Sequence, residues 1–364
     1  CPNLGDDTGC TAGMSGIGQT WSTPNVAFIK GYSTTSPVIV VGGGYDSCED
    51  ADTASPSCSG RTGGFVFVLD ADTGTLLRAF TTDRAVAADV PMVDVNNDGM
   101  PDFAFPADTA GNIYRIDFVN ATGGYMPLTT DGWTLRKVAY ASGGRKFLYA
   151  PALFATAGKV YVAVGSGDRE HPLQSQYPYD SVLNRFYVYL DDLAAPTGTP
   201  AISLDGLSDY TSSNSCTTAQ ILPGSTSKGW FMNLNQYGKG EQTVTSALIT
   251  GGMAVFSTNR PMPPDAASCS TTLGEARGYW VNLFNGSGGL GGTAACGTAR
   301  SSVFVGGGLP PSPTKASGVD VNGNIVTVVF GAAKETASVS IAPTRPRPAI
   351  SYKRKRVYKA TSGD

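Results

Sequence analysis

Short apolar stretches recur along this chain, each ending in small residues or a polar glycine turn, and the stretches come in pairs. "VIVVGGGYD" (38–46) precedes "GGFVFVLDADTG" (63–74), and "DFAFPADTA" (102–110) precedes "GNIYRIDFVNATG" (111–123). "KVYVAVGSGD" (159–168) precedes "NRFYVYLDD" (184–192), and "GGMAVFSTN" (251–259) precedes "RGYWVNLFNGSG" (277–288). "SSVFVGGG" (301–308) and "NIVTVVFGA" (324–332) repeat the first member alone. Short apolar runs punctuated by Gly, Asn and Asp predict strands, and no stretch keeps helical spacing for more than two turns. Recurrence of a strand pair along the chain marks a repeat array. The expected architecture is all-β, a single β-propeller over residues 1–364 with long inserts at 168–184 and 259–277. A four-stranded blade takes about 40–50 residues, so the length suggests seven blades, or eight. A two-sheet sandwich is the alternative, for which 364 residues is long. Residues 191–230, rich in Ser, Thr, Gly and Pro, read as loop.

Composition sharpens this picture. Only 15% of residues are charged and 46 are glycine, which suits strands packed face to face. No apolar run approaches the ~18 residues of a membrane span. The chain starts "CPNLGDDTGC" without a signal peptide, as expected of a mature or excised portion of something longer. Neither short-spaced cysteine pair is CxxC, and the one histidine cannot complete a Cys2His2 zinc site. Local disulfides Cys1–Cys10 and Cys48–Cys58 are expected, hence an oxidising compartment. A Cys269–Cys296 pair is expected as well, leaving Cys216 as an odd thiol or bonded outside this chain. Residues 345–364 carry seven Lys/Arg and one Asp on a chain whose net charge is −3. That segment, "ISYKRKRVY" at its centre, alternates like a strand, so a docked or solvated terminus is expected rather than nucleic-acid binding.

One stretch carries recognisable metal chemistry. In "DVNNDGMPD" (94–102), Asp94, Asn96 and Asp98 stand at places one, three and five, Gly99 at six, Met100 at seven and Asp102 at nine. Calcium takes six to eight oxygens, and a short loop supplies them by folding round the ion with alternate side chains inward and a glycine at the sharp turn. Place twelve is Phe105, not the Glu of an EF-hand, and the apolar flanks read as strands. A calcium loop between strands is expected, with Asp94, Asn96, Asp98, the Met100 carbonyl and Asp102 as ligands. Other polar clusters read as structure. Asp70 and Asp72 in "LDADTG" form a turn, and "DVNGN" (320–324) a hairpin turn. Asp168 to His171 make a loop whose carboxylates cap turns or pair with Arg169. The tryptophans Trp21, Trp133, Trp230 and Trp280 pack between blades.

Several of these segments occur together in one order: "GQTWSTP" (18–24), "GGFVFVLDADTG", the calcium stretch continued to "IYRIDF" (113–118), "GSGDREHP" (165–172) with "NRFYVY" (184–189), and "GEARGYWVNLFNGSG" (274–288). Together they resemble the C-terminal domain of the PilY-type proteins of type IV pili. The resemblance implies a modified, quinoprotein-like propeller at the end of a large exported protein at the pilus tip. Such a protein passes through the periplasm to the cell surface, where it acts in pilus biogenesis and adhesion to host or abiotic surfaces. It further implies minor pilins and an upstream von Willebrand A-like region as partners, with calcium in the loop setting the balance of pilus extension and retraction. The departure here is Asn96, where Asp is also common, and one charge fewer weakens binding modestly. No enzymatic activity is expected. The rival readings are a quinone-dependent dehydrogenase and a structural or sugar-binding propeller.

Overall fold

The computed structural model describes residues 9, 11–129, 132–156, 158–263, 273–290, 296–304, 307–321 and 324–331. The first sheet runs β1 (Asn25–Ala27), β2 (Val38–Gly42), β3 (Phe65–Asp70) and β4 (Leu76–Thr81), each antiparallel to the next. The second starts with β5 (Met92–Val93), β6 (Phe103–Ala104), β7 (Asn112–Asp117) and β8 (Thr134–Tyr140). The third starts with β9 (Ala152–Thr156), β10 (Lys159–Gly165) and β11 (Arg185–Asp192). The chain then returns to lay β12 (Ile202–Ser203) parallel to β8, and β13 (Ser208–Asp209) parallel to β14 (Gly229–Asn233), which itself pairs with β11. The fourth sheet gathers β15 (Gln242–Thr243), β16 (Leu248–Thr250), β17 (Met253–Arg260), β18 (Glu275–Asn282) and β19 (Ser301–Val303). A hairpin of β20 (Thr314–Val321) and β21 (Asn324–Phe330) forms a fifth.

The expected strand pairs are all present: β2 with β3, β6 with β7, β10 with β11, and β17 with β18. Among the described residues there is no α-helix, only two short 3-10 turns, Ser47–Asp50 and Leu204–Gly206. The described residues hold five sheets, against the seven or eight that length suggests, because the long excursions between strands consume chain without forming sheets of their own. The excursion at 191–230 is a partial exception to its expected loop character. Its β12 and β13 cover the outer edges of sheets two and three, and covering protects strand edges that would otherwise pair with other chains.

Alternation along single strands shows how the sheets stack. Val160, Val162 and Val164 of β10 pack toward the second sheet with Phe105, Ile113 and Val138. Tyr161 and Ala163 of the same strand pack toward the fourth with Ala254, Phe256 and Val281. The middle strands are thus buried on both faces, which explains their nearly unbroken apolar runs. A similar layer joins sheets one and two through Val40, Val66, Ile116 and Phe118. Trp133 and Trp230 are buried in these layers, and Trp280 in a further cluster with Met253, Val255 and Val329, as expected. Trp21 corrects that expectation: it is 40% exposed, lying flat on Tyr45 with ring centroids 4.0 Å apart.

Disulfide Cys48–Cys58 is present as expected. Cys296 bonds Cys216 and not Cys269; Cys269, Cys1, Cys10 and the basic segment 345–364 lie outside the described residues. Cys216 and Cys296 are 80 residues apart in sequence. They become neighbours because the 193–228 excursion crosses to the fourth sheet, where the buried Arg300 guanidinium donates to the carbonyls of Tyr210, Thr211 and Ser213.

Candidate functional site

The loop at 94–102 joins β5 to β6, the two innermost strands of the second sheet, so its flanks are strands as the apolar spacing predicts. Short oxygen-bearing side chains fold it on itself. Asp94 accepts from the backbone N–H of Asn97 at 2.6 Å and of Gly99 at 2.8 Å. Asn96 accepts from Asp98 N–H at 2.8 Å, and Asp98 from Met100 N–H at 3.0 Å. This winding needs left-handed backbone, and Asn97 (φ 61°) and Gly99 (φ 90°) provide it. A side chain at Gly99 would meet open space but a strained backbone.

Asp102 plays a different part. It is 1% exposed and accepts from Val95 N–H at 2.8 Å and from the Asn96 side-chain amide at 3.2 Å. Burial pushes its carboxyl up. Tyr125, a residue that nothing in the local spacing announces, donates its hydroxyl to Asp98 at 2.8 Å. That contact holds the Asp98 carboxyl below the usual range, and Lys30 lies 5.3 Å over the Tyr125 ring. Among the described residues no three His, Cys, Asp or Glu side chains gather into a ready-made metal cluster. The donor set nevertheless suits a hard cation: every side chain in it offers oxygen. A carboxylate has about four lone-pair sites, so accepting one or two N–H groups leaves capacity for an ion.

The Asp168–His171 segment does more than the turn capping and Arg169 pairing expected of it. Arg169 does pair with Glu170, at 3.5 Å. Asp168 and His171, however, are buried and face inward. The Lys146 ammonium stands 2.8 Å from Asp168 Oδ2 and 3.0 Å from Glu49 Oε2, all three side chains being 1–2% exposed. Glu49 also meets Arg61 at 3.0 Å and Arg84 at 3.1 Å. Glu49 comes from the 3-10 turn within the Cys48–Cys58 loop, Lys146 from the approach to β9, and Asp168 from the end of β10. Gln242 of β15 accepts from Asp168 N–H at 2.7 Å. The network therefore ties sheets one, three and four together. Sequence spacing could not reveal it, because Glu49 and Lys146 are 97 residues apart.

His171 is the single histidine of the chain. Its Nδ1 lies 3.0 Å from Asp168 Oδ2 and its Nε2 3.2 Å from the Asp50 carbonyl oxygen. Both neighbours only accept, and only the imidazolium has two N–H donors. The contact with Asp168 raises the His171 pKa, with burial and Lys146 working against it. Burial works to raise Asp168, but His171 and Lys146 prevail and hold it low. A group whose folded pKa is raised contributes stability that is complete below its unfolded value, about 6.5, and is lost as pH rises through the folded value. Imidazole NMR of this one histidine should therefore show a titration midpoint above 6.5, with stability declining through it. A midpoint at or below 6.5 would contradict the assignment.

No family model matches the chain. Over 113 residues, 30% of its length, it is 30% identical to the type IV pilus biogenesis factor PilY1 of Pseudomonas aeruginosa strain UCBPP-PA14. The matched stretch is 8% of that protein's length. In structure it is similar to the crystallised C-terminal domain of Pseudomonas aeruginosa PilY1, with a TM-score of 0.60 and 17% identity, covering 86% of this chain and 71% of that one. A europium-containing methanol dehydrogenase is a looser likeness, with a TM-score of 0.40 and 11% identity over 90% of this chain and 53% of that one. The fold is thus that of a PilY-type C-terminal domain, as the sequence motifs imply. No helix among the described residues is long and apolar enough to cross a membrane.

Proposed function

We propose that this chain is the calcium-binding end domain of an exported type IV pilus protein that works in pilus biogenesis and surface attachment. The likeness to a type IV pilus biogenesis factor in sequence, and to the C-terminal domain of such a protein in fold, carries the reading. The domain acts by binding, not by turnover, at the cell surface or the pilus tip. Its partners are minor pilins, an upstream region of the same protein, and the host or abiotic surface.

Calcium is held by Asp94, Asn96, Asp98, the Met100 carbonyl and Asp102. When bound, the ion supplies charge neutralisation to three carboxylates confined to one nine-residue loop. The chain's own residues do the rest. Asp94 and Asn96 set the winding through the N–H groups they accept, Tyr125 steadies Asp98, and buried Asp102 anchors the loop to the strands behind it. An ion here stiffens the turn between β5 and β6 and so passes its presence to the inner edge of the second sheet.

Affinity should fall toward the range of extracellular modules, roughly 10⁻⁴–10⁻³ M, because no bidentate Glu follows at place twelve. At a hundredfold excess of calcium over the dissociation constant, linkage adds about 2.7 kcal/mol, too little to decide whether five sheets fold. Asp98→Ala should therefore abolish calcium uptake in calorimetry while circular dichroism stays unchanged. Equal uptake by variant and wild type would remove the site from the loop.

A further inference from the structure

One strand from each sheet, β1, β5, β9, β16 and β20, starts at a common axis: β9 packs beside β5 and β16, and β16 beside β20, and the residues ahead of all five line one cavity. Shortly before each of them stands a small or short polar residue: Thr23, Asp89, Ala150, Ser246 and Ser312. These five residues line a single cavity of ≈ 290 Å³. A ring of short side chains at the converging strand ends leaves the axis open where bulkier ones would plug it.

Three further side chains give the cavity its chemistry: Trp21, Tyr149 and Arg169. Trp21 is stacked on Tyr45 with the planes 7° apart, and the Tyr45 hydroxyl is pinned to Asp50 at 2.7 Å. One indole face is thus backed and fixed, while the side chain remains 40% exposed. The Tyr149 hydroxyl is buried beside the Arg169 guanidinium, and a hydroxyl facing a guanidinium still has its own proton to give to a water or a ligand. The rim is already partly ordered. Asp89 Oδ1 accepts from Thr23 N–H at 2.6 Å, and Ser312 Oγ from Ser246 N–H at 3.3 Å.

A ligand for this site needs a flat apolar face for the indole and, around its edge, groups that both donate and accept. A sugar ring has both: C–H bonds on one face and hydroxyls at the periphery. A phosphorylated ligand suits the site poorly, since one guanidinium faces it against the Asp89 carboxylate. An alkyl chain would leave the hydroxyls unpaired. The volume lies at the low end for small-molecule pockets, as one or two rings require. We propose that the axial mouth is a carbohydrate-binding site, with Trp21 as its platform and Asp89, Tyr149, Arg169 and Ser312 as its polar contacts. The inference uses neither the calcium loop nor the pilus likeness, so its failure would leave those readings standing.

The test is saturation-transfer NMR on the whole 364-residue chain with the methyl glycosides of glucose, galactose and mannose and with N-acetylglucosamine. At least one should bind saturably, with transfer concentrated on the ring C–H protons. Trp21→Ala should weaken that binding by about tenfold, with circular dichroism confirming the fold. Tyr149→Phe, which removes one oxygen and keeps the ring, should weaken it by about threefold to tenfold. No saturable binding by any of the four sugars, or equal affinity in the wild type and both variants, overturns the assignment.

Discussion

Replacing Lys146 with Met should destabilise the protein by about 3–5 kcal/mol, the usual cost of unpairing buried charges. The reason lies in what the ammonium leaves behind. Asp168 Oδ2 and Glu49 Oε2 both rest on it, at 2.8 and 3.0 Å, and neither carboxylate reaches water. Glu49 keeps Arg61 and Arg84, but among the described residues His171 is the one cation left in an ion pair with Asp168, beside the neutral Tyr177. Asp168 should then protonate more readily, and the variant should recover some stability as the pH is lowered. A compensating pair, Lys146→Met with Asp168→Leu, removes the stranded charge and should regain part of the loss. Urea midpoints for wild type, single and double variants check this. A single variant within about 0.5 kcal/mol of wild type, the range of ordinary surface changes, would show that the network is not a stabilising tie between sheets.

The second large effect is expected at the Cys216–Cys296 bond. Closing a loop of 80 residues removes chain entropy from the unfolded state worth on the order of 4.5 kcal/mol, within a typical measured range of about 2–5 kcal/mol. Cys216→Ser with Cys296→Ser should therefore lower the unfolding midpoint markedly. The matching change at Cys48 and Cys58, ten residues apart, should cost less on loop-entropy grounds. The long bond is not the only tie at this place. Asn214 donates to the Thr298 carbonyl at 2.9 Å and accepts from Gly288 N–H at 2.8 Å, and Arg300 grips the same excursion. The double variant should still fold, with its crossing segment loosened first; hydrogen exchange at Gly288 would report that. A double Ser variant that melts with the wild type would mean that Asn214 and Arg300 alone hold the crossing.

The strand pairs were legible because a strand buried on both faces leaves a short, nearly unbroken apolar run bounded by turn residues. "KVYVAVG" and "RFYVY" show it, and β10 and β11 pair across their whole lengths. The loop at 94–102 was legible for the same kind of reason: its side chains accept from backbone groups two to seven residues away, so spacing alone implies the turn. The turn at Asp70 is equally local, with its carboxylate accepting from Asp72 and Thr73.

What stayed hidden depends on contacts between distant segments. β12 and β13 sit in a stretch too short and polar to read as strand, and they form only because β8 and β14 offer open edges. Asp168 and His171 look like turn residues until Glu49 arrives from the first sheet and Lys146 from the approach to β9. Trp21 looks like core until the axis is seen to be open beside it. Cys216 has no local reason to choose Cys296. The amino-acid sequence by itself determined the apolar runs of the strands, the turns between them and the oxygen-lined loop, because those follow from neighbours along the chain. Only the closing of the sheets about a common axis decided which charges are buried, which cysteines meet and where a cavity remains. Those outcomes depend on which segments the closed fold brings within a few ångströms, and separation along the chain carries no record of that.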